Sequence, residues 1–543
     1  MRSPRIVLLL VVTLLLALLA GCAAPAAPAT TAPAGGEAAA EAPAGDASTL
    51  VVAIAEDTVS LDPARAYETL PTIIHKATYE TLVSFAGADV STVVPGLADT
   101  WDISDDGTVY TFALREGAIF SDGSPVEASD VVFSFNRMAN LKGNPSFLFD
   151  GIASVEAPDA STVVLTLEAP DPAILAKLVF GAFSVTNQEV IEAQGGTAAE
   201  DAATTDGAEQ WLNQNSAGSG AYVLQSWEPG VETVLVRNEN YSGTPAAIER
   251  VIVRNIPEAA TQKIQLEAGD IDIAFDLSAD QVAQLEGQEG VTVYQGLSDT
   301  LVFLKGNLDP EIGGPASDPN FMKAVRLALD YEGILALAGG QSVHPATVLP
   351  VGFLGAFEAN SLARDLDGAR AALAEAGYAD GVDVELFYPD FTFAGVNFGT
   401  FAQKVQADLA EAGINATIVP TELQVALEAY RQGTEPFGLW LWLPDYRDSN
   451  DYLEFLPEGV VGLRTNWTDE NGSDVIKDIR DRGRLETEPA AREAIFVEMQ
   501  EYLLEQGPYA TVVQPGVQVG LASDIQGFVY NGQWRVDLAQ LSR

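Results

Sequence analysis

Residues 101–137 read WDISDDGTVYTFALREGAIFSDGSPVEASDVVFSFNR, and the change of period inside this stretch decides the fold class. Trp101-Asp-Ile-Ser104 and Tyr110-Thr-Phe-Ala-Leu114 are strand-like. Asp105-Asp106-Gly107 lies between them, and glycine accepts the positive φ of a tight hairpin turn. Asp102, Ser104, Asp106 and Gly107 match part of a calcium loop. The twelfth position is Ala113 rather than the required Glu, so no metal is expected there. Asp122-Gly123 marks another turn. Residues 127–140 then follow helical spacing, with Ala128, Val131, Val132, Phe135 and Met138 on one side and Ser124 or Ser129 as candidate caps.

The same mixture runs outward through the 543 residues. Residues 49–55 form an apolar, β-branched run suited to a buried strand, and 71–85 have helical spacing. Two short strands are expected around Pro158-Asp159, with others at 222–227, 233–237, 251–256 and 271–275. A helix at 258–268 stops at Gly269. Beyond the apolar run 302–305, helices at 321–331, 366–376 and 396–412 alternate with strands at 383–388 and 416–419. A helix at 490–504 precedes strands at 510–513 and 528–530. Such alternation means α/β or α+β layers, and no tandem repeat is visible.

At the N-terminus, Arg2 and Arg5 precede an apolar run over 6–19 broken only by Thr13. It is short of the roughly 20 residues that span a bilayer and has the form of a secretory signal peptide over 1–21. Leu19-Ala20-Gly21-Cys22 resembles the bacterial lipobox, which implies acylation of Cys22 and a lipid anchor in the membrane. Residues 22–48 lack bulky apolar side chains and are expected to be a flexible Ala/Pro-rich tether. Cys22 is the only cysteine, so disulfides, CxxC metal sites and cysteine catalysis are excluded.

Acidic residues number 77 against 28 basic ones, a net charge of -49. That balance, without a Lys/Arg cluster, excludes a nucleic-acid partner and predicts a strongly hydrated surface. His75 and His344 are the only histidines, and neither belongs to a metal motif. A G-x-S-x-G elbow, a dinucleotide loop and a P-loop are absent. Counting leaves a paired-carboxylate glycosidase open, but no cofactor and no enzyme activity are expected. The four sequons at Asn240, Asn415, Asn466 and Asn471 are chance matches beside a bacterial lipobox.

Several patterns then fall in one order. Tyr79-Glu80-Thr81-Leu82-Val83, Pro95, Leu97-Ala98, Trp101, Asp106-Gly107, Tyr110-Thr111-Phe112, Leu114-Arg115, Phe120, Asp122-Gly123, Pro125 and Asp130-Val-Val-Phe-Ser134 with Arg137 open the series. Gly218-Ser-Gly220-Ala-Tyr222, Leu266-Glu-Ala-Gly269-Asp270, Val325-Arg326 and Ala376-Gly377-Tyr378 continue it. From about residue 49 onward the chain resembles the extracellular solute-binding proteins, family 5, the peptide/nickel-type receptors of ATP-driven (ABC) importers. The resemblance implies a two-lobed periplasmic-binding-protein-like fold (type II, cluster C style) with an extra subdomain and an interlobe cleft. Lobe I would comprise 49–85, 205–300 and 505–543, the extra subdomain 86–204, and lobe II 301–504, with a hinge near 300 and 505. Trp101, Tyr110 and Phe112 are expected in the core, and Arg115, Arg137 and Arg326 as anchors of ion pairs within a lobe.

The stretch that bears on function is Leu439-Trp-Leu-Trp442-Leu-Pro-Asp445-Tyr446. In peptide-binding family members the matching Trp-x-x-Asp puts a carboxylate in the cleft against the ligand's ammonium group, which implies Trp442 and Asp445 here. An apolar strand delivering an aspartate to a closing cleft supports the same reading, because a poorly hydrated carboxylate needs a cation. The alternative is a loop aspartate or a helix cap. Where the family has Asp-Pro, this chain has Tyr446-Arg447-Asp448-Ser449. Arg447 either meets a ligand carboxylate or neutralises Asp448, and Tyr446 is a candidate contact beside it. From the other lobe the resemblance implies backbone contacts at Asp57, Thr58 and Val59. The implied partners are a peptide or other small molecule and the permease subunits of the importer, for a monomeric receptor. Oligosaccharide, nickel-chelate and opine ligands remain as alternatives, the first because Trp440, Trp442, Tyr446 and Tyr452 suit sugar stacking.

Overall fold

The structure, a computed structural model, describes residues 48–543 except 394–395. The signal peptide, Cys22 and nearly all of the tether lie outside the described residues.

Three sheets organise the chain. The first has seven strands in the order Val291–Leu297, Gly516–Ala522, Ile273–Ala274, Thr49–Ile54, Arg250–Asn255, Glu232–Arg237 and Tyr222–Glu228. Thr49–Ile54 lies at its centre, parallel to both neighbours. Leu50, Val52 and Ile54 point into one core while Ala53 joins a second on the opposite face, so the run is apolar without interruption.

The second sheet has five strands, Ile414–Thr421, Val382–Pro389, Phe437–Trp442, Leu301–Gly306 and Tyr509–Val513. It too is covered on both faces. Val302, Leu304, Phe437 and Leu439 enter one core, and Leu301, Phe303, Trp440 and Trp442 the other, as the two-residue period of a strand requires.

The hairpin that opened the sequence reading belongs to the third sheet, Ala98–Ile103, Val109–Leu114, Thr162–Leu167 and Ile152–Asp159. Trp101 pairs with Phe112, and Gly107 has φ 71°, the left-handed turn expected of it. Helix Ala128–Leu141 packs beside this sheet. Its cap is neither serine: Glu127 and Asp130 form a reciprocal capping box, the Glu127 N–H donating to Asp130 Oδ2 at 2.9 Å.

Other boundaries differ from the sequence reading for local reasons. The helical run over 71–85 is a helix only at Thr69–Thr78, and Val83–Ala86 pairs as a strand with Asp89–Pro95. The 321–331 helix ends at Ala328, and a new one starts at Tyr331, capped by Asp330. Strand Gly516–Ala522 escaped the sequence reading because its glycines and glutamine break the apolar run. Arg115 pairs with Glu80 at 3.1 Å and Arg137 with Asp62 at 2.6 Å, but Arg326 forms no ion pair. It donates to the carbonyls of Gly507 (3.0 Å) and Tyr509 (2.7 Å) instead.

Two chain crossings connect the first and second sheets. Ser298 Oγ donates to the Pro515 carbonyl at 2.6 Å, and Gln514 Nε2 donates to the Ser298 carbonyl at 2.7 Å. The crossings are therefore tied to each other beside strands Leu301–Gly306 and Tyr509–Val513.

Candidate functional site

Strand Phe437–Trp442 ends at the seam between the first two sheets, and Leu443-Pro444 carries the chain to Asp445. A short 3-10 helix, Ser449–Phe455, follows. Asp448 caps it, accepting from the Asn450 N–H at 2.8 Å, so Asp445 is not the cap. Asp451 sits in its first turn. Both carboxylates therefore come from one short segment, the loop and the helix turn that follows it.

Asp445 is 9% exposed and Asp451 fully buried. Among the described residues no Lys or Arg lies within ion-pair distance of either. Asp445 Oδ1 instead accepts a hydrogen bond from the hydroxyl of Tyr67, which is 378 residues away and whose ring packs on Phe147 and Phe180 at the third sheet's core. Trp442 Nε1 donates to Asp451 Oδ2 at 3.0 Å, and the other oxygen of Asp451 is buried without a hydrogen-bond partner. Burial pushes the Asp445 carboxyl up to about 7, with Glu454 adding to the rise and Tyr67 and Arg464 opposing it. Burial and then the neighbouring Asp445 raise Asp451 well above the usual carboxylate range. Arg464, the cation acting on Asp445, lies over the faces of Tyr430 (4.9 Å) and Trp442 (5.6 Å).

Tyr446 is buried among the third sheet's core residues, with Lys177 Nζ 5.1 Å from its ring centre. Arg447 reaches back to Asp299 at the crossing and lies 4.0 Å over the Phe353 ring. It does not neutralise Asp448, which pairs with Arg492. On the facing side Thr58 is buried, its hydroxyl donating to Glu68 Oε2 at 3.1 Å, while Asp57 is exposed and Val59 is 78% exposed. Glu68 also accepts from the Tyr67 N–H at 3.3 Å, so Thr58 connects through Glu68 to the tyrosine that meets Asp445. Asp57 joins this route through its Oδ1, which accepts from the Thr58 N–H at 2.8 Å.

A cavity of about 60 Å³ opens between the halves next to this loop, lined by Phe275, Leu277, Leu443, Gln518, Tyr530 and Arg535 among others. Asp445 does not line it. Gln518 Oε1 is buried without a partner, and Arg535 is engaged by Glu56. A larger cavity, about 310 Å³, lies away from this loop around Lys76, Glu80, Arg115, Tyr241 and Trp534.

The sequence reading found neither Tyr67 nor Asp451, Asp299 or Arg535. Asp451 stands in the polar stretch Asp448-Ser-Asn-Asp-Tyr-Leu-Glu454, where nothing local sets it apart from the other acids. Tyr67 carried no signal either, because nothing local ties it to residue 445. Among the described residues no group of three or more His, Cys, Asp or Glu is placed to hold a metal ion. His75 and His344 are buried, and burial lowers both to about 4.

Residues 92–459 match the model of the bacterial extracellular solute-binding proteins, family 5 (middle). The chain belongs to this family. Family 5 comprises solute-binding receptors, not enzymes. Among its relatives, the probable D,D-dipeptide-binding periplasmic protein DdpA of Escherichia coli is 29% identical over 490 residues, 89% of this chain and 91% of that protein. The dipeptide-binding protein of the same organism is 24% identical, over 83% of this chain and 86% of its own length. A solved structure of DppA from Helicobacter pylori in complex with the peptide STSA superposes with a TM-score of 0.76 at 23% identity, covering 91% of this chain and 98% of that one. A dipeptide-binding protein from Pseudoalteromonas, solved with Met-Leu, has a TM-score of 0.77 over 91% and 100% of the two chains at 20% identity. The fold is thus the two-lobed periplasmic binding protein fold of family 5. Periplasmic relatives of this kind are extracytoplasmic, and no helix among the described residues is long and apolar enough to cross a membrane.

Proposed function

We propose that this family-5 receptor captures peptides by closing its two lobes, with Asp445 accepting the ligand's ammonium group, and delivers them to the permease of an ABC importer. One observation carries the reading: at the seam between the lobes, a buried carboxylate has no basic partner and is touched from the facing side only by a neutral hydroxyl. A buried carboxylate left in that state favours the arrival of a cation. Trp442 and Asp451 support the loop from behind, Tyr446 and Arg447 anchor its far side, and Thr58 belongs to the facing wall. Asp57 and Val59 are proposed only as backbone contacts. The cavity beside Leu443 is the room for the rest of the ligand, and it requires opening, since Tyr67 covers Asp445.

The lobe limits of this proposal are 49–85, 205–300 and 505–543 for lobe I, 86–204 for the extra subdomain and 301–504 for lobe II. The sheet membership of the strands supports them except at two limits: Tyr509–Val513 belongs to the second sheet, so the return to lobe I falls between it and Gly516–Ala522, and Val83–Ala86 pairs with Asp89–Pro95 across the 85/86 limit. A lipid on Cys22 and a monomeric state complete the proposal, tested by radiolabelled fatty-acid incorporation and by light scattering.

The sugar reading is disfavoured by the aromatics themselves. Trp440 stacks on Tyr430 at 4.2 Å and gives its N–H to Glu435, and Trp442 and Tyr452 lie in the same lobe core. Titration calorimetry with a panel of dipeptides tests the proposal. Asp445→Ala is expected to weaken binding on the order of 100-fold, the effect of removing one partner of a desolvated pair. Unchanged affinity would remove Asp445 from the site.

A further inference from the structure

We propose that Asp451 acts with Asp445 as a two-carboxylate subsite, which holds one shared proton while empty and releases it to solvent when the ligand's ammonium group enters. The inference rests on the cation-binding reading of Asp445 and adds a second acid that the reading does not require.

Geometry carries it. Asp445 comes from the loop after strand Phe437–Trp442, and Asp451 from the first turn of the 3-10 helix that follows that loop. Trp442 fixes one oxygen of Asp451 at 3.0 Å and Tyr67 fixes one oxygen of Asp445. The other Asp451 oxygen is fully buried without a hydrogen-bond partner, a costly arrangement unless a donor arrives, and the Asp445 backbone N–H lies against the same carboxyl. The hydroxyl of Tyr452 beside it is likewise buried without a partner. Asp451, Trp442 and Tyr452 sit within the second lobe, and the two aromatics share one of its cores. Separation of the lobes therefore removes Tyr67 from Asp445 but leaves Asp451 dry.

The surrounding charges point the same way. Tyr67 and Tyr452 stay neutral, raised by burial first and by the two aspartates after it. Tyr446 is raised by burial first and then by Asp451 and Asp171. Glu454 adds negative potential, and Arg464 opposes it at Asp445. Two neighbouring carboxylates in that setting do not both ionise, so one proton stays with the pair. A primary ammonium supplies the missing positive charge and three donors. Both acids can then ionise, and the retained proton departs to water.

Two measurements judge this. Carboxyl-carbon NMR of ¹³C-aspartate-labelled protein without ligand should show an aspartate titrating near neutrality, absent from the isosteric Asp451→Asn. If no aspartate titrates above about pH 6, the shared proton does not exist, whatever the ligand. Calorimetry with Ala-Ala in phosphate and Tris buffers at pH 6.5 should report about one proton released by the wild type and none by Asp451→Asn. Affinity should rise by up to about tenfold per pH unit between pH 5 and 6.5 in the wild type and stay level in the variant. Equal proton counts in both proteins overturn the proposal. If Ala-Ala does not bind, the peptide reading fails, and the NMR titration alone decides the carboxylate pair.

Discussion

Two clusters of buried charge lie on either side of the cleft, and only one of them is complete. Around Arg137 every charge has a partner: the guanidinium donates to both oxygens of Asp62 at 2.8 and 2.6 Å and to both oxygens of Asp206 at 2.8 and 2.9 Å. Burial works against the Arg137 charge, but Asp62 and then Asp206 outweigh it, and its pKa is raised. Around Asp445 the acids outnumber the cations, and the cation that acts on it, Arg464, lies on the faces of Tyr430 and Trp442. The first cluster ties helix Ala128–Leu141 to the loop at Asp62 and to Asp206, and has no valence left for a ligand. The second is left short of positive charge, with Asp445, Asp451 and Glu454 against Arg464. Burial alone does not mark a site. Incomplete compensation does.

The contrast can be broken by mutation. Arg137→Met leaves two buried acids with only the partly exposed Arg65 as a cation, at 3.5 Å from Asp62 and 3.2 Å from Asp206, and should cost about 3 kcal/mol of unfolding free energy, read by urea denaturation. Asp445→Asn should do the opposite and leave stability equal or higher, because it removes an uncompensated charge. A large loss of stability there would mean that the Asp445 cluster is as structural as the Arg137 one.

Acid sharpens the difference, since the two regions respond with opposite sign. His75, bonded to the Leu61 carbonyl beside Asp62, has a folded pKa of about 4, below its ordinary 6.5. Its contribution is complete above pH 6.5 and is lost as pH falls towards 4, on the order of 3 kcal/mol over the window. Asp445 has a folded pKa of about 7, above its ordinary 3.8. Its burden is full above pH 7 and is relieved as pH falls towards 4. The stability advantage of Asp445→Asn over the wild type should therefore be largest near pH 7.5 and vanish by about pH 4, in urea midpoints measured across that range.

The smallest effect concerns Tyr67. Tyr67→Phe removes one hydrogen bond between the facing sides, worth about 1 kcal/mol, and should shift the ligand-free protein towards the open form in small-angle scattering. An unchanged scattering profile would show that this contact does not hold the cleft.

Much of the architecture was legible along the chain. The hairpin at 98–114, the all-apolar runs at 49–54 and 437–442, and the family pattern over 92–459 depend on local period and on residues in fixed order. The loop bearing Asp445 was legible for the same reason, as a strand ending in an acid. The partners were not. Arg447 stands one residue from Asp448 yet pairs with Asp299, while Asp448 turns to Arg492.

By itself the sequence determined which segments become strands and helices, which of their faces are apolar, and where an aspartate follows a buried strand, because these follow from side-chain chemistry and backbone period. Only the tertiary structure decided that Tyr67 meets Asp445 across 378 residues, that Asp451 stands behind it, and that among the described residues no cation comes near enough to pair with either. The reason is physical: a charge is compensated or left wanting by what surrounds it in space, and chain order does not encode that distance.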